Sequence, residues 1–239
     1  MYAWNRLYNL VRDDITPPAR QNSSLTSRSS VASPSETQTP SSDLIAADKL
    51  WPSHRDCLNV YFMNGSTEEK SLVKNLVRTH YNSLPMRIHF HFLSEGKLHR
   101  SDIRVKFAHD SWSYIGTDAE LYPGRKTMCL NMYPRRSTEA EIRTKIQADI
   151  LHEFGHALGM VHAHKHPDCQ MTWNYKRLMW SNDWPLKWVR EAYDDDTSSV
   201  VGKRWDLPYD PLSIMHYAIE KGDTINCVTE TPENTVLST

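Results

Sequence analysis

Apolar and polar positions alternate through Leu58-Asn59-Val60-Tyr61-Phe62, the period of two expected of a strand. Met86 to Leu93 alternates again, with Ile88, Phe90 and Phe92 on one side and His89 and His91 on the other. That places the two histidines on a solvated strand face rather than at a metal. Ile103-Arg104-Val105-Lys106-Phe107 predicts a third strand. Met128-Cys129-Leu130-Asn131-Met132, after Pro123-Gly124, predicts a fourth, short enough for a sheet edge. Between the first two strands the period changes: Thr67 is the expected N-cap of a helix with Leu72, Leu76 and Val77 on one face. From Thr138 a longer helical pattern carries Ile142, Ile146, Ile150, Leu151, Phe154 and Leu158. Asp183-Trp184-Pro185 reads as a further helix start, with Leu186, Val189 and Tyr193 inward. Strands and helices alternate first, and one helix and long loops follow. The pattern therefore predicts an α+β chain, an α/β upper half above an irregular lower half.

Upstream the periodicity vanishes. Arg12 to Asp48 is dominated by Ser, Thr, Pro and Gln, which cannot bury enough apolar surface to offset ordering entropy. Residues 1–48 are accordingly expected to be a disordered tail, and 49–239 the folded domain, with order beginning near Trp51. Charge is balanced, 28 Lys+Arg against 29 Asp+Glu, so no bulk field calls for nucleic acid. The apolar runs fall far short of the roughly 18 residues of a membrane span. The start, Met1-Tyr2-Ala3-Trp4-Asn5-Arg6, lacks the features of a signal peptide, which leaves localisation unassigned. Four cysteines, Cys57, Cys129, Cys169 and Cys227, allow three pairings and show no Cys-x-x-Cys spacing. Cys169 and Cys227 both fall in the lower half and could pair in an oxidising compartment. Sequence gives no oligomeric state.

The chemistry concentrates in His152-Glu153-Phe154-Gly155-His156-Ala157-Leu158-Gly159-Met160-Val161-His162. Positions four apart share one face of a helix, so His152 and His156 can present imidazoles to a single ion. Glu153, next in sequence, can lean over the same edge to hold a water. His162 follows His156 at a spacing that no helix supplies, so the chain must turn between them. Gly159 sits where a left-handed helix end is needed. Three neutral imidazoles leave a fourth zinc position open, the arrangement of a catalytic rather than a structural site.

These eleven residues resemble the extended zinc motif of the metzincins, whose second mark is a methionine turn. Ser213-Ile214-Met215-His216-Tyr217 is similar to that turn in the astacin branch. The resemblance, over roughly residues 51–237, implies a metzincin-like domain with a twisted, mostly parallel sheet and helices above the cleft. It implies one catalytic Zn²⁺ per chain on His152, His156 and His162, with Met215 beneath. It gives Tyr217 the part of a further ligand that swings to stabilise the transition state. Ser111-Trp112-Ser113-Tyr114-Ile115-Gly116 and Thr127-Met128-Cys129-Leu130 also resemble family strands, the second being the edge that pairs with substrate backbone. An extracellular location would follow from the same resemblance. The chain departs from the family at Ala163, where astacins carry a glutamate that pairs with the mature N-terminus. It also lacks a Phe-x-Gly-Asp switch upstream.

The expected activity is zinc-dependent endopeptidase action on protein or peptide substrates, with Glu153 as general base and Tyr217 as oxyanion donor. Two rivals are a catalytically weak zinc-binding interaction module and a zinc hydrolase of non-peptide amides or esters. The first would predict loss of the base or of a ligand; a peptide digest separates the second. His164 and His166 beside the motif are expected on the surface. Trp173, Trp180, Trp184, Trp188 and Trp205 are expected to pack the lower half.

Overall fold

Residues 45–134, 138–166, 168–194, 203–204, 209–217 and 219–227 are described by the computed structural model. Along the chain, β1 (Ile45–Ala46) precedes β2 (Cys57–Phe62), α1 (Thr67–His80), β3 (His89–Phe92), β4 (Ile103–Phe107), β5 (Trp112–Ser113), β6 (Met128–Leu130) and α2 (Glu139–Leu158). The lower half then holds β7 (Met171–Trp173), α3 (Tyr175–Asn182), α4 (Leu186–Tyr193), β8 (Lys203–Arg204) and β9 (Thr224–Cys227).

The main sheet has the order β3-β2-β4-β6-β5, parallel except for β5, which runs antiparallel to β6. The expectation for residues 127–131 is corrected by this order: β6 lies inside the sheet, and β5 is the edge beside it. All three residues of β6 are buried, as a strand bonded on both sides requires. Its length points to an edge only because a short strand looks the same in sequence whether or not it has a neighbour. Arg104 is a related correction. Alternation places it with Lys106 on a polar face, yet it is buried. Its guanidinium donates to the carbonyls of Ala119 at 2.6 Å, Arg125 at 2.6 Å and Ser101 at 2.8 Å. The buried charge is tolerated because these acceptors replace water, and in return it gathers the loop that leads into β6. His89 and His91 are exposed, as expected of a solvated face.

Helix α1 is capped by Ser66 rather than Thr67. The Ser66 hydroxyl accepts the Glu69 N–H while the Glu69 carboxylate accepts the Ser66 N–H, a reciprocal box that spares two orphan donors. Thr138 and Glu141 close the same box at the start of α2. Two side chains then dock the C-terminal half of α2 on the upper half. The Tyr81 hydroxyl donates to the Leu151 carbonyl at 2.6 Å, and the Trp51 indole to the Ala157 carbonyl at 2.8 Å. Phe154 completes the core against Phe90, edge to face at 4.9 Å between centroids. The face of α2 that carries chemistry is thereby fixed to the sheet.

Packed structure begins before the expected boundary at residue 49. Ala46 is buried beside Val161 and Ile115, and its N–H donates to the Gly159 carbonyl at 2.9 Å. The remainder of the disordered-tail expectation lies outside the described residues. Below the cleft a smaller core gathers Trp173, Leu178 and Val189. Of the tryptophans expected to pack there, Trp173 is buried, whereas Trp180, Trp184 and Trp188 are exposed, as is Leu186; Trp205 lies outside the described residues. β7 and β9 run antiparallel with Met171 opposite Cys227, but a Cys169–Cys227 bridge involves a side chain outside those described. Among the described residues no helix is long and apolar enough to cross a membrane.

Candidate metal centre

Helix α2 presents His152 and His156 one turn apart and ends at Gly159, whose φ of 105° is the left-handed conformation anticipated for that turn. The chain reverses there, and the Ala163 N–H bonds to the Met215 carbonyl at 2.9 Å, drawing His162 back toward the helix. Ligand atoms of His152, His156 and His162 all lie within 4.8 Å of one another, and the Nε2 atoms of His156 and His162 are 3.1 Å apart.

Two contacts orient these rings. His152 Nδ1 lies 2.8 Å from the Ile214 carbonyl and His156 Nδ1 lies 2.9 Å from the Met160 carbonyl. A carbonyl accepts only, so each Nδ1 carries the proton and each Nε2 keeps a lone pair facing the others. Burial, the largest cause in each case, depresses the imidazolium pKa of His152 to about 4 and of His156 to about 3, and that of His162 well below its ordinary value. All three are neutral near pH 7, the form that binds metal. Three convergent neutral imidazoles, two of them with tautomers fixed by carbonyls, fit a zinc ion. Tetrahedral coordination at about 2.0–2.1 Å from nitrogen needs donors little further apart than His156 and His162 already are.

Glu153 is buried, and its Oε2 has no hydrogen-bond partner among the described residues. Burial, then the nearby Asp149 charge, pushes its carboxyl up to about 8. An orphaned carboxylate oxygen of this kind has room in its chemistry for a water and for the proton that water gives up. Tyr217 sits against the triad, its ring centroid 4.1 Å from that of His162, and its phenol pKa is raised chiefly by burial. The three histidines and Tyr217 are thus brought together, and Glu153, next to His152 on α2, is close enough for its charge to act on the Tyr217 phenol.

The floor is the turn around Met215. The Asp210 carboxylate accepts the Leu212 N–H, the Ser213 hydroxyl accepts the Met215 N–H, and the His216 N–H returns to the Ser213 carbonyl. This tight turn aims the fully buried Met215 at α2. A Cβ on Gly155 would lie 2.5 Å from Met215 Sδ, which explains the glycine inside the motif as a steric need. Gly155→Ala should therefore lower stability by about 1–3 kcal/mol, the usual cost of overpacking a filled core, and loosen metal retention. Thermal melting and metal content after dialysis check this; an unchanged melt with full metal would mean that Met215 moves aside freely.

Sequence reasoning missed two features. His164 and His166, expected on the surface, are 3% and 9% exposed, because the chain after His162 folds inward beneath the turn instead of running over it. Asp149, one helical turn before Glu153, accepts from the Ser111 hydroxyl at 3.1 Å and pairs with Lys145, while Ser111 Oγ accepts the Asn131 N–H at 3.0 Å. This ties α2 to the chain entering β5. The i, i+4 spacing of Lys145, Asp149 and Glu153 was the available signal.

A family profile described as Astacin, a peptidase family, matches residues 45–237. Among solved structures the chain is similar to one titled "Structure of myroilysin", with 29% identity over 77% of this chain and 87% of that one, and a TM-score of 0.63. A second, titled "Crystal structure of myroilysin", is 29% identical over 80% of this chain and 81% of that one, with a TM-score of 0.51. No curated protein matches the chain.

Proposed function

The chain belongs to the astacin family of zinc metalloendopeptidases, and on that premise we propose that it cleaves peptide bonds with Glu153 as general base and Tyr217 as oxyanion donor. The observation that carries this reading is the buried, unpartnered Glu153 oxygen beside three convergent neutral imidazoles. Zinc held by His152, His156 and His162 would supply a Lewis acid for the scissile carbonyl and would make a neighbouring water more acidic. Glu153 takes the proton of that water at its free carboxylate oxygen and delivers it to the leaving amine. Burial raises the proton affinity of this carboxylate in the metal-free protein, and a zinc ion on the neighbouring imidazoles would draw it back toward the ionised form that accepts the proton. Tyr217, protonated because burial lifts its pKa, donates to the oxygen on which charge develops. Substrate backbone adds to the outer side of β5, which pairs with no further strand among the described residues. The family also favours an extracellular site of action.

The test is digestion of casein by purified protein with and without a zinc chelator, alongside metal analysis. Cleavage should stop with chelator and return when zinc is restored, with about one zinc per chain. Undiminished cleavage by metal-free protein would sink the metal reading. Turnover of esters with no attack on peptides would favour the non-peptide hydrolase instead.

A further inference from the structure

We propose that His164 is the positioning residue of Tyr217, its imidazole being the plate that holds the phenol ring beside the metal centre. The proposal rests on the reading of Tyr217 as oxyanion donor.

The Tyr217 ring lies over two imidazoles at once, 4.1 Å from His162 and 4.4 Å from His164, and it is stacked on the latter at 27°. His162 is committed to the metal and Tyr193 meets the phenol edge to face at 5.2 Å, so His164 is the flat support free to serve the tyrosine. His164 is itself held from behind. Its Nε2 lies 3.0 Å from the Ala192 carbonyl on α4, and the rings of Trp173 and Tyr193 stand 5.6 and 5.8 Å away. Its Nδ1 is buried without a partner among the described residues. A buried nitrogen with nothing to bond is costly, so hydrogen bonding alone does not account for a histidine at this position. Its flat face accounts for it better. Tyr217 comes from a turn whose backbone bonds fix Met215, and those bonds leave the phenol free to rotate about χ1 and χ2. Stacking on a ring anchored to α4 narrows that freedom to a sweep across one flat face, so that the swinging hydroxyl is guided toward the oxygen on which charge develops. A displacement of α4 would reach the phenol through the same ring and through Tyr193.

The proposal is tested by a double-mutant cycle on the zinc-loaded full chain with a peptide substrate. Tyr217→Phe should lower kcat by about 10²–10³ with KM little changed. His164→Leu, which fills the space without a flat ring, should lower kcat roughly tenfold, and by less than about twofold when Tyr217→Phe is already present. His164→Phe restores the plate and should recover most of the rate. His164→Gln keeps a donor toward Ala192 but no ring; it should behave like His164→Leu, and it serves in its place if that variant does not fold. Zinc content should stay near one per chain throughout, because the three convergent imidazoles remain in every variant. Equal losses for His164→Leu in both backgrounds, or loss of zinc in His164→Phe, would overturn the proposal. A Tyr217→Phe effect below about threefold would instead remove Tyr217 from the mechanism, an outcome distinct from additivity in the cycle.

Discussion

Glu153→Gln should keep its zinc and its fold while kcat falls by about 10²–10⁴, the range that one positioned acid–base group supplies. Glutamine is nearly isosteric, and the side chain is not one of the three converging donors, so neither packing nor coordination needs to change. Proton transfer is what disappears, since an amide oxygen is far too weak a base. Activity and metal content measured on one preparation separate the two effects, and near wild-type cleavage by the zinc-loaded variant would exclude Glu153 as the base. A second readout follows from the same burial. The Glu153 carboxyl is raised from 4.5 to about 8 in the metal-free protein. Its contribution to stability is therefore fully present below pH 4.5 and lost as pH rises toward 8. Metal-free Glu153→Gln, with no charge to bury, should accordingly melt above metal-free wild type at about pH 8. At about pH 4 the two should melt alike.

His156→Ala is expected to abolish both zinc and proteolysis. His156 is the imidazole most tightly built in, with Nδ1 against the Met160 carbonyl and Nε2 3.1 Å from that of His162. Two remaining histidines rarely hold a catalytic zinc alone. Metal content after dialysis should fall from about one per chain to near zero. Thermal melting gives an independent measure. Zinc at about 1,000 times its dissociation constant stabilises a folded site by about 4 kcal/mol, and this rise should vanish in the variant. A His156→Ala protein that still binds zinc stoichiometrically and still cuts would require a different ligand set.

The chemistry of this chain is more legible than its edges. The motif helix can be read in full because helical spacing, a terminal glycine and three histidines all constrain the same few residues. Four of the strands, β2, β3, β4 and β6, also emerge from alternation. What alternation cannot supply is the neighbour of each strand. β6 looks like an edge because its length says nothing of β5, which at two residues is too short to show a period. Arg104 looks solvated because a polar residue at an outward position reads the same whether water or five carbonyl contacts await it. His164 and His166 mislead for a similar reason. Their burial depends on where the Met215 turn returns, far along the chain, and no local pattern encodes that. The exposed Trp180 and Trp188 err in the opposite direction, since size and hydrophobicity favour burial without requiring it.

The two-residue rim strand bears on ligand selectivity. The Tyr114 N–H points inward to the Thr127 carbonyl at 3.0 Å, so by alternation Ser113 turns its amide and carbonyl outward. A peptide laid along this strand therefore gains about two main-chain bonds from it, worth roughly 1 kcal/mol net each. That is about a thirtyfold contribution to affinity, indifferent to side-chain identity. Discrimination between targets must come from side-chain pockets. A tight inhibitor of this enzyme would thus benefit less from mimicking peptide amides than from a strong zinc-binding group joined to one well-fitted side chain.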